Sequence, residues 1–240
     1  MISKVKNDLF DYPNRYIMQI KDGFKFSLDS LLLAEFTKLR QSDKLILDMC
    51  TGNAPVPLVL SLKTDAKIIG FELQRAIAEL AWESISINGL DKQIKVINDD
   101  VKNIGEFFKS NTFDVITCNP PYFKINDDKN KNKNDYLTLA RHEIAIDLET
   151  IFKLVNRFLK DNGVFYMVHR AERLDEIIIL ANKYKLNVKE IQFISTKKNN
   201  NPSTILVKCV KNSKIGVKIK REICVDNLST YQHLFEGSGK

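Results

Sequence analysis

Residues 47–60 read LDMCTGNAPVPLVL, a stretch that leaves the apolar run LILDM (45–49), turns, and enters a helical pattern. A glycine-bearing turn at such a junction lets a ligand approach the backbone, and the helix beyond it offers N–H groups with no partner inside the helix. The spacing G-x-G-x-x-G is missing, because Cys50 and Ala54 stand where glycines would be expected. A dinucleotide pyrophosphate needs that close approach, so NAD is a poor fit. Asp48, at the strand end, also disfavours a phosphate and favours a cationic or hydroxyl-bearing ligand. Taken alone, the turn reads equally as an ordinary βα connection.

Outward from this stretch the chain alternates. Strand-like runs occur at KIIGFE (67–72), IKVIN (94–98), FDVITC (113–118), VFYMV (164–168), VKEIQFI (188–194) and TILVKCV (204–210). Helical patterns lie between most of them, at 73–88 with Ala76, Leu80, Ile85 and Ile87 on an apolar face, at 147–160 opened by Asp147, and at 171–184. Strands alternating with helices of this length imply βαβ crossovers. The expectation is an α/β fold: a doubly wound, mostly parallel seven-stranded sheet. Only STKKNNNPS separates the last two strands, so they should close it as an antiparallel hairpin. One domain over 1–240 is expected, with an N-terminal extension of about 40 residues and a flexible tail ending in GSGK. The segment KINDDKNKNKND (124–135) reads as a polar, low-complexity loop.

Three strands in succession end in acids. Asp48 follows the first, Glu72 the second, and Asp99-Asp100 the third. An acid about twenty residues beyond the turn can accept both ribose hydroxyls of a nucleoside, and an aspartate at the third strand can bond an adenine amino group. Each has a bland alternative: a carboxylate favoured at a helix N-terminus, or a cap for a helix over 101–109. The fourth strand exits into Asn119-Pro120-Pro121-Tyr122. Two adjacent prolines cannot continue a central strand, since neither supplies a ladder N–H. The tetrapeptide is therefore either an abrupt stiff turn or a rigid cup for something planar.

Composition narrows the function classes. Hydrophobic residues make up 44% and charged residues 28%, as in soluble globular proteins. No run reaches the roughly 20 apolar residues of a membrane span, and MISKVKNDLFDYPNRY is too polar for a signal peptide, so a cytoplasmic protein without membrane contact is expected. Four cysteines and three histidines lie far apart with no metal-ligand spacing, so neither a metal nor a disulfide framework is expected. The net charge of +7 is uneven: Lys183 to Arg221 holds eleven basic residues against Glu190 alone. Such a block suggests a polyanionic partner, most simply RNA. An AT-rich coding bias towards Lys, Asn and Ile would produce it without function.

Taken in order, Asp48-x-x-x-Gly52-Asn53, Glu72, Asp100 and Asn119-Pro120-Pro121-Tyr122 resemble the motifs of class I S-adenosylmethionine (SAM)-dependent methyltransferases, in the branch that methylates amino groups. The stretches GFKFSLDSLLLAEF (23–36), LARHE (139–143) and GVFYMVHRAERLDEI (163–177) are similar to those of the bacterial valine-tRNA adenine-N6 methyltransferases. The resemblance spans about residues 19–210. It implies a Rossmann-like fold, SAM as cofactor and tRNA as partner, with a monomer or weak dimer as the working unit.

It also implies roles. Asp48, Gly52, Glu72, Asp100 and Asn119 would hold SAM, and Asp29 would lie near its methionine end unless it caps a helix beginning at Ser30. The Asn119 side-chain oxygen and the Pro120 carbonyl would accept the two N–H bonds of the adenine amine, and Pro121 would stiffen the turn. Tyr122 would stack on the base. Phe123 would wedge or pack, and Arg141, His142, Lys197 and Lys198 could meet RNA. Trp82, inside a helix, reads as core. Two other classes stay open: a glutamine-amide or guanine-N2 methyltransferase, and a non-catalytic SAM-fold module that only binds RNA.

Overall fold

A computed structural model of the protein describes residues 3–10, 12–21, 27–121, 146–196 and 201–225. In chain order these form β1 (Lys4–Asp8), β2 (Tyr16–Ile20), α1 (Leu28–Phe36), β3 (Leu45–Met49), α2 (Pro55–Leu60), β4 (Lys67–Phe71), α3 (Arg75–Ile87), β5 (Ile94–Ile97) and β6 (Phe113–Cys118). There follow α4 (Leu148–Phe158), β7 (Leu159–Arg170), α5 (Leu174–Lys183), β8 (Leu186–Ser195), β9 (Thr204–Lys211), β10 (Lys218–Ile219) and β11 (Ile223–Cys224). The helix expected over 101–109 is a shorter 3₁₀ turn, Val101–Glu106, and another 3₁₀ turn, Ala171–Arg173, precedes α5.

The main sheet runs in the order β10-β8-β9-β7-β6-β3-β4-β5, with β11 also on β8. Its seven longer strands are those expected from the sequence, and the two-residue strands β10 and β11 extend the β8 edge. Pairs β3–β4, β4–β5, β3–β6 and β6–β7 are parallel, while β9 is antiparallel to both β7 and β8. The terminal hairpin therefore folds back inside, placing β9 between β7 and β8. Winding proceeds one way from β3 to β5 and the other way from β6, so β3 and β6 flank the switch point. Crevices at the carboxyl ends of such strands are where open α/β sheets bind ligands.

Successive residues on each strand face opposite sides, which divides the core in two. Ile46, Ile68, Val96 and Val115 pack with α1, α2 and α3. Leu47, Ile69, Ile116 and Phe165 pack on the opposite face with α4 and α5. On α3, Leu80 and Ile85 face the sheet as expected, but Ile87 is 41% exposed and Ala76 lies on the solvent side. Ile77, Ala78 and Ala81 complete the buried stripe. Trp82 packs against the core and donates its indole N–H to the Val96 carbonyl at 3.0 Å. The hairpin β1–β2 contributes Leu9 and Ile17 to the first core.

Part of the basic block is engaged in ion pairs or buried. Lys183 pairs with Glu149, and Lys208 and Lys220 pair with Glu190. Lys211 is only 7% exposed. Its ammonium donates to the Asn111 side chain (2.7 Å) and to the carbonyls of Asn156 (2.7 Å) and Leu159 (2.8 Å) at the end of α4. Cations there satisfy carbonyls that have no partner within the helix. Lys197 and Lys198 lie outside the described residues. Lys211→Met should lower unfolding free energy by about 1–3 kcal/mol by stranding those acceptors. Urea denaturation checks this, and an unchanged midpoint would mean water replaces the ammonium.

Candidate active site

The turn after β3 adopts the backbone that its sequence only partly provides for. Cys50 (φ 58°), Gly52 (φ 59°) and Ala54 (φ 72°) are all left-handed, and only one of the three is glycine. A Cβ in that region costs roughly 1–2 kcal/mol. The surroundings hold the turn in place. Thr51 N–H donates to the Phe71 carbonyl at 2.8 Å, and a Cβ on Gly70 would come within 2.8 Å of the Thr51 side chain. Gly70 thus lets β4 approach the turn closely.

Asp48 lies beneath this turn. Its carboxylate accepts the hydroxyls of Thr51 (2.7 Å) and Thr117 (2.6 Å), the latter from β6. It is 1% exposed, and burial pushes its pKa up to about 7 against the pull of the two hydroxyls. Asp48 was expected to meet the ligand. In this structure it braces the turn from inside, because both oxygens are committed to threonines.

Glu72 occupies the end of β4 and faces the turn. One oxygen accepts from Gly52 N–H (3.0 Å) and the other from Gln74 N–H (2.8 Å). Burial raises its pKa and the two backbone donors oppose the shift. Beside it an open cleft is lined by Cys50, Phe71, Leu73, Asp99, Asp100, Val101, Lys102 and Ile146. Asp100 borders the cleft, yet its side chain also caps the 3₁₀ turn through Lys102 N–H (2.9 Å) and pairs with the Lys102 ammonium (3.0 Å). Asp99 accepts from Asp100 N–H and the Asn103 amide. The capping alternative for Asp100 is thus what its geometry displays. The carboxylates at this edge are acceptors of the kind that ribose hydroxyls require.

Asn119 follows β6 directly. The register pairs Met49 with Cys118, so Asn119 emerges alongside Cys50 and the turn. The Cys50 and Cys118 thiols share a hydrogen bond, and burial pushes the Cys118 pKa well up. The Asn119 amide nitrogen donates to Ser30 Oγ at 2.9 Å, with Ser27 Oγ at 3.5 Å. Pro120 is buried and Pro121 half-buried. Tyr122, Phe123, Arg141, His142 and the 124–135 loop lie outside the described residues.

Asp29 is half-buried in the first turn of α1. The helix begins at Leu28 with Ser27 in the capping position, so Asp29 does not cap a helix starting at Ser30. Two residues within the quoted motifs, Asn53 and His169, are given no role of their own by the sequence. Asn53, fully buried, donates to the Met18 carbonyl at 2.8 Å and so ties β2 to the turn. His169 ends β7; its Nδ1 accepts Arg170 N–H, and burial lowers its pKa to about 4, so it is neutral at ordinary pH. Among the described residues no group of three or more His, Cys, Asp or Glu could hold a metal, and no helix is long and apolar enough to cross a membrane.

A family model described as a methyltransferase domain matches residues 40–223. The chain belongs to that family. Curated relatives named tRNA1(Val) (adenine(37)-N6)-methyltransferase include one from Bacteroides thetaiotaomicron, 27% identical over 88% of this chain and 87% of its own. Another, from Cytophaga hutchinsonii, is 26% identical over 78% and 77%. Among solved structures, a predicted O-methyltransferase from Agrobacterium tumefaciens superposes with a TM-score of 0.64 at 17% identity, covering 82% of this chain and 87% of its own. The P. horikoshii TYW2 complex with MeSAdo gives 0.56 at 15% identity, over 84% and 70%. These likenesses establish a Rossmann-like methyltransferase fold.

The strained turn gives a direct test. Ala54→Gly removes the left-handed penalty where the native backbone already suits glycine, so this methyltransferase should gain about 1 kcal/mol in stability. Thermal or urea unfolding reads the change. A loss of stability would mean that the buried Ala54 methyl contributes more through packing than its backbone strain costs.

Proposed function

We propose that the protein transfers a methyl group from SAM to the exocyclic N6 amino group of an adenine in tRNA, the valine tRNA position next to the anticodon being the first candidate. The observation that carries this reading is the emergence of Asn119-Pro120 at the carboxyl end of β6, one residue beyond the pairing of Cys118 with Met49. An amine acceptor and a cofactor turn are thereby neighbours at the switch point. The names of the relatives support adenine and tRNA, and a cytoplasmic monomer or weak dimer accords with that role.

SAM, when bound, supplies an electrophilic methyl group on a sulfonium. Glu72 is the residue placed to accept ribose hydroxyls, which would exchange for the Gly52 and Gln74 N–H groups it now holds. Asp48 acts underneath, keeping the turn rigid through Thr51 and Thr117. Asp29, towards the methionine end, and Asp100, towards the adenine, are assigned to SAM in the same proposal.

An adenine amino nitrogen is a weak nucleophile because its lone pair is delocalised into the ring. The Asn119 oxygen and the Pro120 carbonyl would each accept one N–H, drawing the nitrogen towards tetrahedral geometry and aiming its lone pair at the methyl. The paired prolines fix the backbone so that a carbonyl faces the substrate. Tyr122 is assigned to stack on the base once it leaves its neighbours. The methylated nitrogen is strongly acidic and sheds its proton to water, so positioning dominates the rate. An amide or guanine amine offers the same two N–H bonds, but the relatives' names point to adenine.

Asn119→Ala should reduce the single-turnover methylation rate by about 10²–10³ while leaving RNA affinity little changed, because the acceptor matters most as the nitrogen becomes tetrahedral. Rapid-quench kinetics on a valine tRNA transcript measures it. Wild-type turnover by this variant would reduce Asn119-Pro120-Pro121-Tyr122 to a turn and remove the amino-methyltransferase reading.

A further inference from the structure

An asparagine amide has two nearly isosteric ends, an oxygen that accepts and a nitrogen that donates. Only the oxygen end can serve an amine substrate; a flipped amide would set donor against donor. Something must decide which end faces the base. The residues that bear on this come from a distant part of the chain: Ser30 Oγ accepts from the Asn119 amide nitrogen at 2.9 Å, and Ser27 Oγ lies 3.5 Å from the same nitrogen.

Ser30 sits in the first turn of α1 and is 6% exposed, while Ser27 stands at the N-cap position with no side-chain bond to the helix. A serine hydroxyl carries two lone pairs, so Ser30 Oγ can accept from the amide while its own proton rotates elsewhere. The helix is firmly seated: Leu31 and Leu33 are fully buried and Leu32 is 3% exposed. The matched methyltransferase domain begins at residue 40, so this support reaches the site from outside the matched span.

We propose that Ser30, assisted by Ser27, is a positioning residue that holds the Asn119 amide with its nitrogen turned into the protein and its oxygen turned to the substrate amine. The inference rests on the amino-methyltransferase reading. Donation by the amide nitrogen also polarises the amide and strengthens its oxygen as an acceptor. The pair of serines therefore sets both the direction and the quality of the catalytic acceptor.

The test is a double-mutant cycle read by single-turnover methylation of a valine tRNA transcript with SAM. Ser30→Ala should slow the reaction about tenfold, the equivalent of one hydrogen bond. SAM and RNA affinities, measured separately, should stay within about twofold. Ser30→Thr, which retains the hydroxyl, should recover most of the lost rate. In an Asn119→Ala background, Ser30→Ala should have no further effect, because its whole action passes through that amide. An equal loss in both backgrounds would assign Ser30 a general structural role and overturn the proposal. So would a wild-type rate for Ser30→Ala while Asn119→Ala is slow, and that outcome would leave the methyltransferase reading standing. A wild-type rate for Asn119→Ala would remove that reading and the proposal with it.

Discussion

The buried carboxylate of Asp48 joins three elements at one point. It takes the hydroxyl of Thr51 in the turn and that of Thr117 in β6, and it belongs to β3 itself. A carboxyl group so deeply enclosed needs such partners, since burying it without hydrogen bonds would be costly in either protonation state. With the turn held from beneath, Cys50 and Ala54 can occupy backbone conformations that their side chains disfavour. Glu72 then closes the turn from the side by accepting Gly52 N–H. The left-handed turn survives with a single glycine because its neighbours leave it no alternative.

From that point the site extends outwards through the N-terminal elements. Asn53 couples the turn to Met18 in β2, and Met18 N–H in turn donates to Ser84 on α3. Ser27 and Ser30 couple α1 to Asn119. The matched methyltransferase span holds the turn, the acidic strand ends and Asn119, and residues before it, Met18, Ser27 and Ser30, are hydrogen-bonded to two of them.

Much of the fold is legible in sequence for a simple reason. Buried parallel strands read as short apolar runs, and the helices between them carry their own periodicity. Seven strands and the antiparallel pairing of β8 with β9 follow from that, whereas the insertion of β9 between β7 and β8 does not. The short strands β10 and β11 do not, because two residues of edge pairing leave no pattern. In the site, glycine-shaped positions at Cys50 and Ala54 are visible as departures from a motif, and both prove left-handed. What Asp48 touches is not visible, since the same strand-end acid can face a ligand or turn inwards to threonines. Ser30 is hidden more thoroughly: its partner is 89 positions away, and a serine in an apolar helix carries no local signal. The basic block is legible only as a charge count that already includes Glu190; the pairing of Lys183 with Glu149, 34 positions earlier, leaves no local signal.

The proposed chemistry depends on the identity of the methyl acceptor. Incubating the protein with methyl-labelled SAM and separate pools of tRNA, ribosomal RNA and release factor, then digesting and analysing each by mass spectrometry, addresses it directly. The account predicts label in N6-methyladenine from the tRNA pool. Label in a glutamine side chain of the protein pool, or on the amino group of guanine, would contradict it.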